Sequence, residues 1–234
     1  MTKSPTLELR ARSVGPWPMN SYALACPTTR QSLLIDPGAE PDALVELLQG
    51  TQPIAILLTH THPDHVGALD VMRERLGVPL LAHPGPHFQG LQLPGARALA
   101  DGEIINVGAH ALKSYYAPGH IDDMICFAVV GGDDIVVGDT VFEGGPGNTR
   151  SSAAFQTTLR TLREVVLPWP DASVCHPGHG PSFRLGDKRA AIEGFLARDH
   201  GDFFGDATES DIRGWRSRPR TPTKQRLFSR IWYD

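Results

Sequence analysis

Cysteine is scarce in this chain: three in 234 residues, at positions 26, 126 and 175, an odd number that cannot pair fully within one molecule. Each sits in an apolar, strand-like setting ("YALAC", "MICFAVV", "ASVC"), where a buried free thiol is expected. That usage points to a reducing, cytoplasmic compartment. Long hydrophobic runs are missing too. No stretch approaches the roughly 18 apolar residues of a membrane span, and "MTKSPTLELRARS" carries no apolar signal core, so no membrane partner is expected. Charge of one sign is also absent. The 22 Lys and Arg against 26 Asp and Glu leave a formal charge of −4, which gives no global attraction to nucleic acid. Nor is there an internal repeat at the spacing of about 20–50 residues that marks solenoids and propellers.

What is present is 41% hydrophobic residues, enough for a substantial core, arranged as alternating strands and helices. "SYALAC", "QSLLIDPG", "IAILLTH" and "VPLLAH" read as strands. Leu44, Leu47 and Leu48 mark a helix over 41–49, opened by Pro41. Val66, Leu69, Met72 and Leu76 mark a second, ended by Gly77. "MICFAVV" and "DIVVGDTVF" flank Gly131-Gly132-Asp133, a hairpin turn. Phe155, Leu159, Leu162 and Val166 predict a helix over about 153–166, "ASVCHPGHG" a strand entering a loop, and Ile192, Phe195 and Leu196 a last helix. Hairpins mixed with crossovers suit two sheets with helices packed outside, an α/β arrangement. Residues 1–200 read as one catalytic domain, and 201–234 as a C-terminal arm rich in Arg, with Trp215, Phe228, Trp232 and Tyr233 interleaved. Such an arm docks its aromatics on the body or on a second subunit and leaves its arginines solvated.

The most informative stretch is "THTHPDHVG", where His60, His62, Asp64 and His65 fall within six positions. The apolar strand before it delivers these residues to a strand end, where chemistry collects in α/β folds. Residues i and i+2 of an extended segment point the same way, so His60 and His62 can converge on one point. Imidazoles and a carboxylate without thiolate suit zinc, iron or manganese. A lone histidine here would read as a loop or capping residue; this density does not. His120 in "APGHIDD", Asp139 in "VVGDTVF" and His179 in "CHPGHGP" repeat one design: a strand end, a Gly/Pro turn, a ligand-type residue. The remaining histidines, including His83 and His176, read as structural or as bordering the site.

Asn20, "IDPG", "THTHPDHVG", "APGH", "GDTVF" and "PGHGP", in this order, resemble the metallo-β-lactamase superfamily over about residues 18–198. The resemblance implies a four-layer αββα sandwich with two divalent metal ions between the sheets at one edge, zinc first and iron or manganese as alternatives. It implies that His60, His62 and His120 hold one ion, that Asp64, His65 and His179 hold the other, and that Asp139 bridges them. It further implies hydrolysis of a small ester, thioester or lactone by a hydroxide between the ions, with Asp64 orienting it and relaying a proton. "GDTVFEGGPGNTRSS" is similar to the loop of hydroxyacylglutathione hydrolases (glyoxalase II-like thioesterases) and of persulfide dioxygenases. Where those relatives carry Cys-Gly-Arg, this chain has Pro146-Gly147-Asn148. Asn148, Arg150 and Tyr116 are the candidate contacts to a small-molecule substrate. Two alternatives stay open: a mononuclear iron dioxygenase using His60, His120 and Asp139, and a ribonuclease, since "GHIDD" resembles the "GHTDD" of some ribonuclease-like members.

Overall fold

A computed structural model of the chain describes residues 6–207. The aromatic residues of the expected arm, Trp215, Phe228, Trp232 and Tyr233, lie outside the described residues. Strands β1 (Glu8–Val14), β2 (Met19–Ala25), β3 (Gln31–Ile35), β4 (Gln52–Leu57), β5 (Leu80–Ala82) and β6 (Arg97–Ala98) form one six-stranded sheet in chain order. After β7 (Ile104–Val107), β8 (His110–Tyr116), β9 (Ile125–Val129) and β10 (Asp134–Gly138) comes a small ribbon, β11 (Val141–Phe142) with β12 (Gly145–Pro146). Strands β13 (Val174–Pro177) and β14 (Phe183–Arg184) then complete a second six-stranded sheet ordered β7-β8-β9-β10-β13-β14.

Period-two alternation sorts each strand's side chains into two apolar layers. From β4, Ala55 and Leu57 face the space between the sheets, with Leu24, Leu33, Phe127 and Val136. Ile56 and Leu58 face the other way, onto Leu44 of α1 (Pro41–Leu47) and Leu69 and Met72 of α3 (Leu69–Leu76). On the second sheet, Cys126, Ile135, Val137 and Cys175 meet Phe155 and Leu159 of α4 (Ser152–Thr161), and Ile192 and Phe195 of α5 (Arg189–Leu196). Three apolar layers therefore separate four layers of structure, the αββα sandwich. The cysteines are buried free thiols, Cys26 between the sheets and the other two beneath α4 and α5. No helix among the described residues is long and apolar enough to cross a membrane.

Strands β1, β6, β7, β8, β12 and β14 and the break in the second helix depart from the sequence expectation. β1 has no counterpart in it: "ELRARSV" is mostly solvent-facing, so its register with β2 leaves little apolar signal. The helix expected through Val66 and Leu76 is split into α2 (Pro63–Val66) and α3. A Cβ at Gly67 would stand 2.4 Å from the Gly38 carbonyl oxygen, and Ala68 N donates to Pro37 O at 2.9 Å. Close packing against the 36–38 turn, rather than local propensity, sets that break.

Strand direction gathers the chemistry. β3 and β4 run parallel, as do β10 and β13, and two antiparallel steps through β9 give β8 the direction of β10. The C-terminal ends of β3, β4, β8, β10 and β13 lead into Asp36, His60, His120, Asp139 and His179 respectively.

Candidate metal centre

All seven expected ligands come together, in three overlapping groups whose ligand atoms lie within 4.8 Å of one another: His60, His62 and His120; His60, His65 and Asp139; Asp64, His65 and His179. In the first, His62 Nδ1 lies 3.0 Å from His60 Nε2 and 2.9 Å from His120 Nε2. His65 Nε2 lies 3.4 Å from Asp139 Oδ1, and His120 Nε2 lies 3.6 Å from Asp139 Oδ2. His179 Nε2 lies 3.0 Å from Asp64 Oδ2 and 3.8 Å from Asp139 Oδ2.

The partners of the opposite ring nitrogens fix which nitrogen presents a lone pair. Asp36 Oδ2 accepts from Thr59 Oγ1 at 2.5 Å, which uses that hydroxyl's one proton. His60 Nδ1–H therefore donates to Thr59 Oγ1, at 3.0 Å, and His60 Nε2 is left bare. His65 Nδ1–H donates to Asp36 Oδ2 at 2.9 Å, His120 Nδ1–H to Asn148 O at 2.7 Å, and His179 Nδ1–H to Pro18 O at 2.9 Å. Four rings thus turn Nε2 inward, and His62, at the start of α2, turns in Nδ1. His65 Nε2 and Asp139 Oδ1 are buried and face each other at 3.4 Å, with no well-formed hydrogen bond to either atom. Orphaned buried polar atoms are costly, and a cation between them removes that cost. The donor set fits divalent metal, and glycine keeps the space open. A Cβ at Gly178 would stand 2.3 Å from Asp139 Oδ1, and one at Gly147 2.0 Å from Asp139 O.

The two sides of the cluster differ electrostatically. Burial, with His65 and His62 close by, holds His60 well below the usual imidazole range. Burial and neighbouring His120 hold His62 down to about 3, and burial lowers His120. These three are neutral ligands at pH 7. Burial would depress His65 too, but Asp139 and Asp36 outweigh it and hold this imidazole well above its ordinary value. His179 is raised likewise, by Asp139 and Asp64 against burial. Asp139 stays well below the usual carboxylate range because His179 and His65 outweigh its burial. Asp64 is lowered for the same kind of reason, by His179 and His65.

Around the cluster, Asn20 Nδ2 donates to Pro177 O (3.1 Å) and Gly180 O (2.9 Å), clamping the loop that carries His179. Phe88 meets His62 edge-on with centroids 4.8 Å apart, and the Arg150 guanidinium lies 4.8 Å over the Phe88 ring. Tyr116 stacks on His83 at 4.7 Å and 8°. Asn148 works mainly through its backbone carbonyl on His120, while its side chain donates to Asp206 Oδ1 at 2.8 Å. His176 bonds Ser182 and Asp134, so it is structural, as expected. Sequence reasoning missed the orienting roles of Asp36 and Thr59. Their signal was an ionisable residue ending an apolar strand just before Pro-Gly, and a Thr directly preceding the first ligand.

The profile of the Metallo-beta-lactamase superfamily matches residues 14–223. The chain belongs to the metallo-beta-lactamase superfamily. Within it, the chain is 32% identical over 195 residues to the probable metallo-hydrolase YqgX of Bacillus subtilis (strain 168), covering 75% of this chain and 91% of that one. It is 31% identical over 163 residues to a hydroxyacylglutathione hydrolase of Polaromonas sp. (strain JS666 / ATCC BAA-500), covering 68% of this chain and 61% of the relative. Among solved structures, TTHA1623 in a di-iron-bound form superposes with a TM-score of 0.64 at 30% identity, over 79% of this chain and 96% of that one.

Proposed function

We propose that the chain is a dinuclear metal-dependent hydrolase of a small ester, thioester or lactone. The observation that carries this reading is the convergence of seven ligand-type side chains in three overlapping groups, with buried His65 Nε2 and Asp139 Oδ1 facing each other at 3.4 Å and holding no other partner. His60, His62 and His120 would hold the first ion, Asp64, His65 and His179 the second, with Asp139 shared. Divalent ions in such a site supply an activated water near neutral pH and polarise the carbonyl oxygen under attack.

The protein's own groups do the rest. Asp36, Thr59, Asn148 O and Pro18 O fix the ring tautomers in advance, so no reorganisation is needed as charge develops. Asp64 would take a proton from the attacking water and pass it to the leaving group. Its depressed pKa keeps it ionised for the first of those tasks. Phe88 and Arg150 form a wall beside His62, apolar and then cationic, along which the substrate would lie.

The mononuclear iron alternative uses His60, His120 and Asp139 and leaves Asp64, His65 and His179 without a task, although these three converge and are pinned. Elemental analysis of the purified protein, with ester, thioester, lactone and persulfide turnover in parallel, tests the proposal. Two ions per chain and hydrolysis are expected. One tightly bound iron, with no gain from added zinc or manganese, would overturn it.

A further inference from the structure

Thr61 stands between two ligands, His60 and His62, and is not one itself. It is buried, and its hydroxyl is engaged twice: it donates to Asp123 Oδ2 at 2.6 Å and accepts from Phe88 N at 2.8 Å. Asp123 is 2% exposed, and its other oxygen, Oδ1, is buried with no well-formed hydrogen bond, only looser approaches of the Asp123 and Thr61 backbone N–H groups to the carboxyl. Holding a carboxyl in that state is costly, because burial takes it from water and the contacts to Oδ1 replace that hydration only in part. If support for the loop were the only requirement, a neutral Ser or Asn could accept from Thr61 at lower cost. What the carboxyl adds is a short, charge-assisted bond to the residue between two ligands.

The same hydroxyl reaches the wall of the site. Phe88 N is fixed by Thr61, the Phe88 ring meets His62 edge-on, and Arg150 lies over that ring. Asp123 therefore stands at the end of one chain of contacts that sets two things. One is the roll of the 60–62 segment, which brings His60 Nε2 and His62 Nδ1 to 3.0 Å. The other is the position of the wall beside them.

We propose that Asp123 is a positioning residue of the first metal site, acting through Thr61 on the His60–His62 pair and on Phe88. The metal-binding part stands on the donor geometry alone; only its effect on turnover rests on the hydrolase reading above.

The test loads full-length wild type, Asp123→Ala, Asp123→Asn, Thr61→Val and Thr61→Ser with cobalt(II). It reads the visible absorption of the bound ion, first-ion affinity against a competing chelator, and the Tm of each metal-free protein. Loss of a hydrogen-bonding group that orients a ligand typically weakens metal affinity by about 10–100-fold. Asp123→Ala and Thr61→Val should fall in that range with an altered cobalt spectrum, while Thr61→Ser, which keeps the hydroxyl, should match wild type. Asp123→Asn, which keeps an acceptor but gives up the charge, should lie between. If Asp123→Ala does not fold, the Asn and Ser variants still decide. Lowered Tm with unchanged spectrum and affinity would make Asp123 merely structural and overturn the proposal. So would a Thr61→Ser variant as impaired as Thr61→Val. A wild type that binds cobalt but hydrolyses nothing would sink the hydrolase reading and leave this test intact.

Discussion

Asp36 and His65 meet at 2.9 Å, carboxylate oxygen to ring Nδ1, with both side chains closed to solvent. Asp36 does this from a left-handed backbone (φ 53°), a conformation that Asn also tolerates. Asp36→Asn therefore removes charge with little change of shape. It should weaken binding of the second ion by about 10–100-fold, with a smaller loss at the first ion, which Asp36 reaches only through Thr59 and His60. Asp36→Ala also breaks a buried pair and should destabilise the metal-free protein by about 3–5 kcal/mol. Chelator competition and chemical denaturation measure the two effects. Unchanged second-ion affinity in the Asn variant would count against the orienting role.

The two donor groups should load with different pH behaviour. His60, His62 and His120 have lowered pKa values, so they are neutral above about pH 6.5 and bind the first ion without giving up protons. His65 and His179 are raised, so in the metal-free protein they carry protons that the second ion must displace. Second-ion affinity should then climb as pH rises through those elevated values, and first-ion affinity should stay flat from about pH 7 upward. Titration calorimetry in buffers of different ionisation enthalpy counts the protons released. Equal release at both steps would contradict the assignment.

How much of this was legible in the sequence depended on how local each signal was. The ligands were readable because His120, Asp139 and His179 each follow an apolar strand at a turn with Gly or Pro, and because His60, His62, Asp64 and His65 are packed too densely for scattered loop residues. The sandwich was readable from strands and helices whose apolar residues keep their periods. Asp36 acts on a residue 29 positions away, and Asp123 on one 62 positions away, so neither role leaves a mark in its own neighbourhood. The side chain of Asn148 was expected to face substrate, yet it is engaged by Asp206, 58 positions on, which only packing reveals. The α2–α3 break was hidden for a similar reason: Gly67 reads as an ordinary helical glycine until Gly38 is placed against it.

Gly178→Ala should cost the second ion its site. The added Cβ would stand 2.3 Å from Asp139 Oδ1 and 2.6 Å from His65 Cε1. The backbone cannot retreat freely, since Gly178 N donates to Gly138 O and its carbonyl accepts from Asn20 N. Overpacking of this kind costs about 1–3 kcal/mol. Gly180→Ala is the contrast. Its Cβ meets open space, so only its positive φ of 78° is penalised. Metal content near one ion for Gly178→Ala and near two for Gly180→Ala is expected. Two ions in both would mean that the gap at Gly178 does not serve the metal.

Glutathione thioesters should be poorer substrates than small neutral thioesters, although a hydroxyacylglutathione hydrolase is among the relatives at about 30% identity. Position 148 offers a neutral amide, which cannot form the charge-assisted bidentate pair with a carboxylate that an arginine forms. That amide is moreover already engaged by the Asp206 carboxylate, which would repel an anionic group brought to position 148. Arg150 lies over Phe88, on the His62 side, and does not restore a cation at position 148 itself. The measurement is kcat/KM for lactoylglutathione against a small neutral thioester, in wild type and in an Asn148→Arg, Asp206→Ala double variant. The wild type should favour the neutral substrate, and the double variant should shift the ratio toward glutathione by about tenfold, the worth of roughly 1.4 kcal/mol of new transition-state contact. A wild type that turns over lactoylglutathione near the diffusional range of about 10⁸ M⁻¹s⁻¹ would show that some other group recognises the tripeptide. The inference from position 148 would then be wrong.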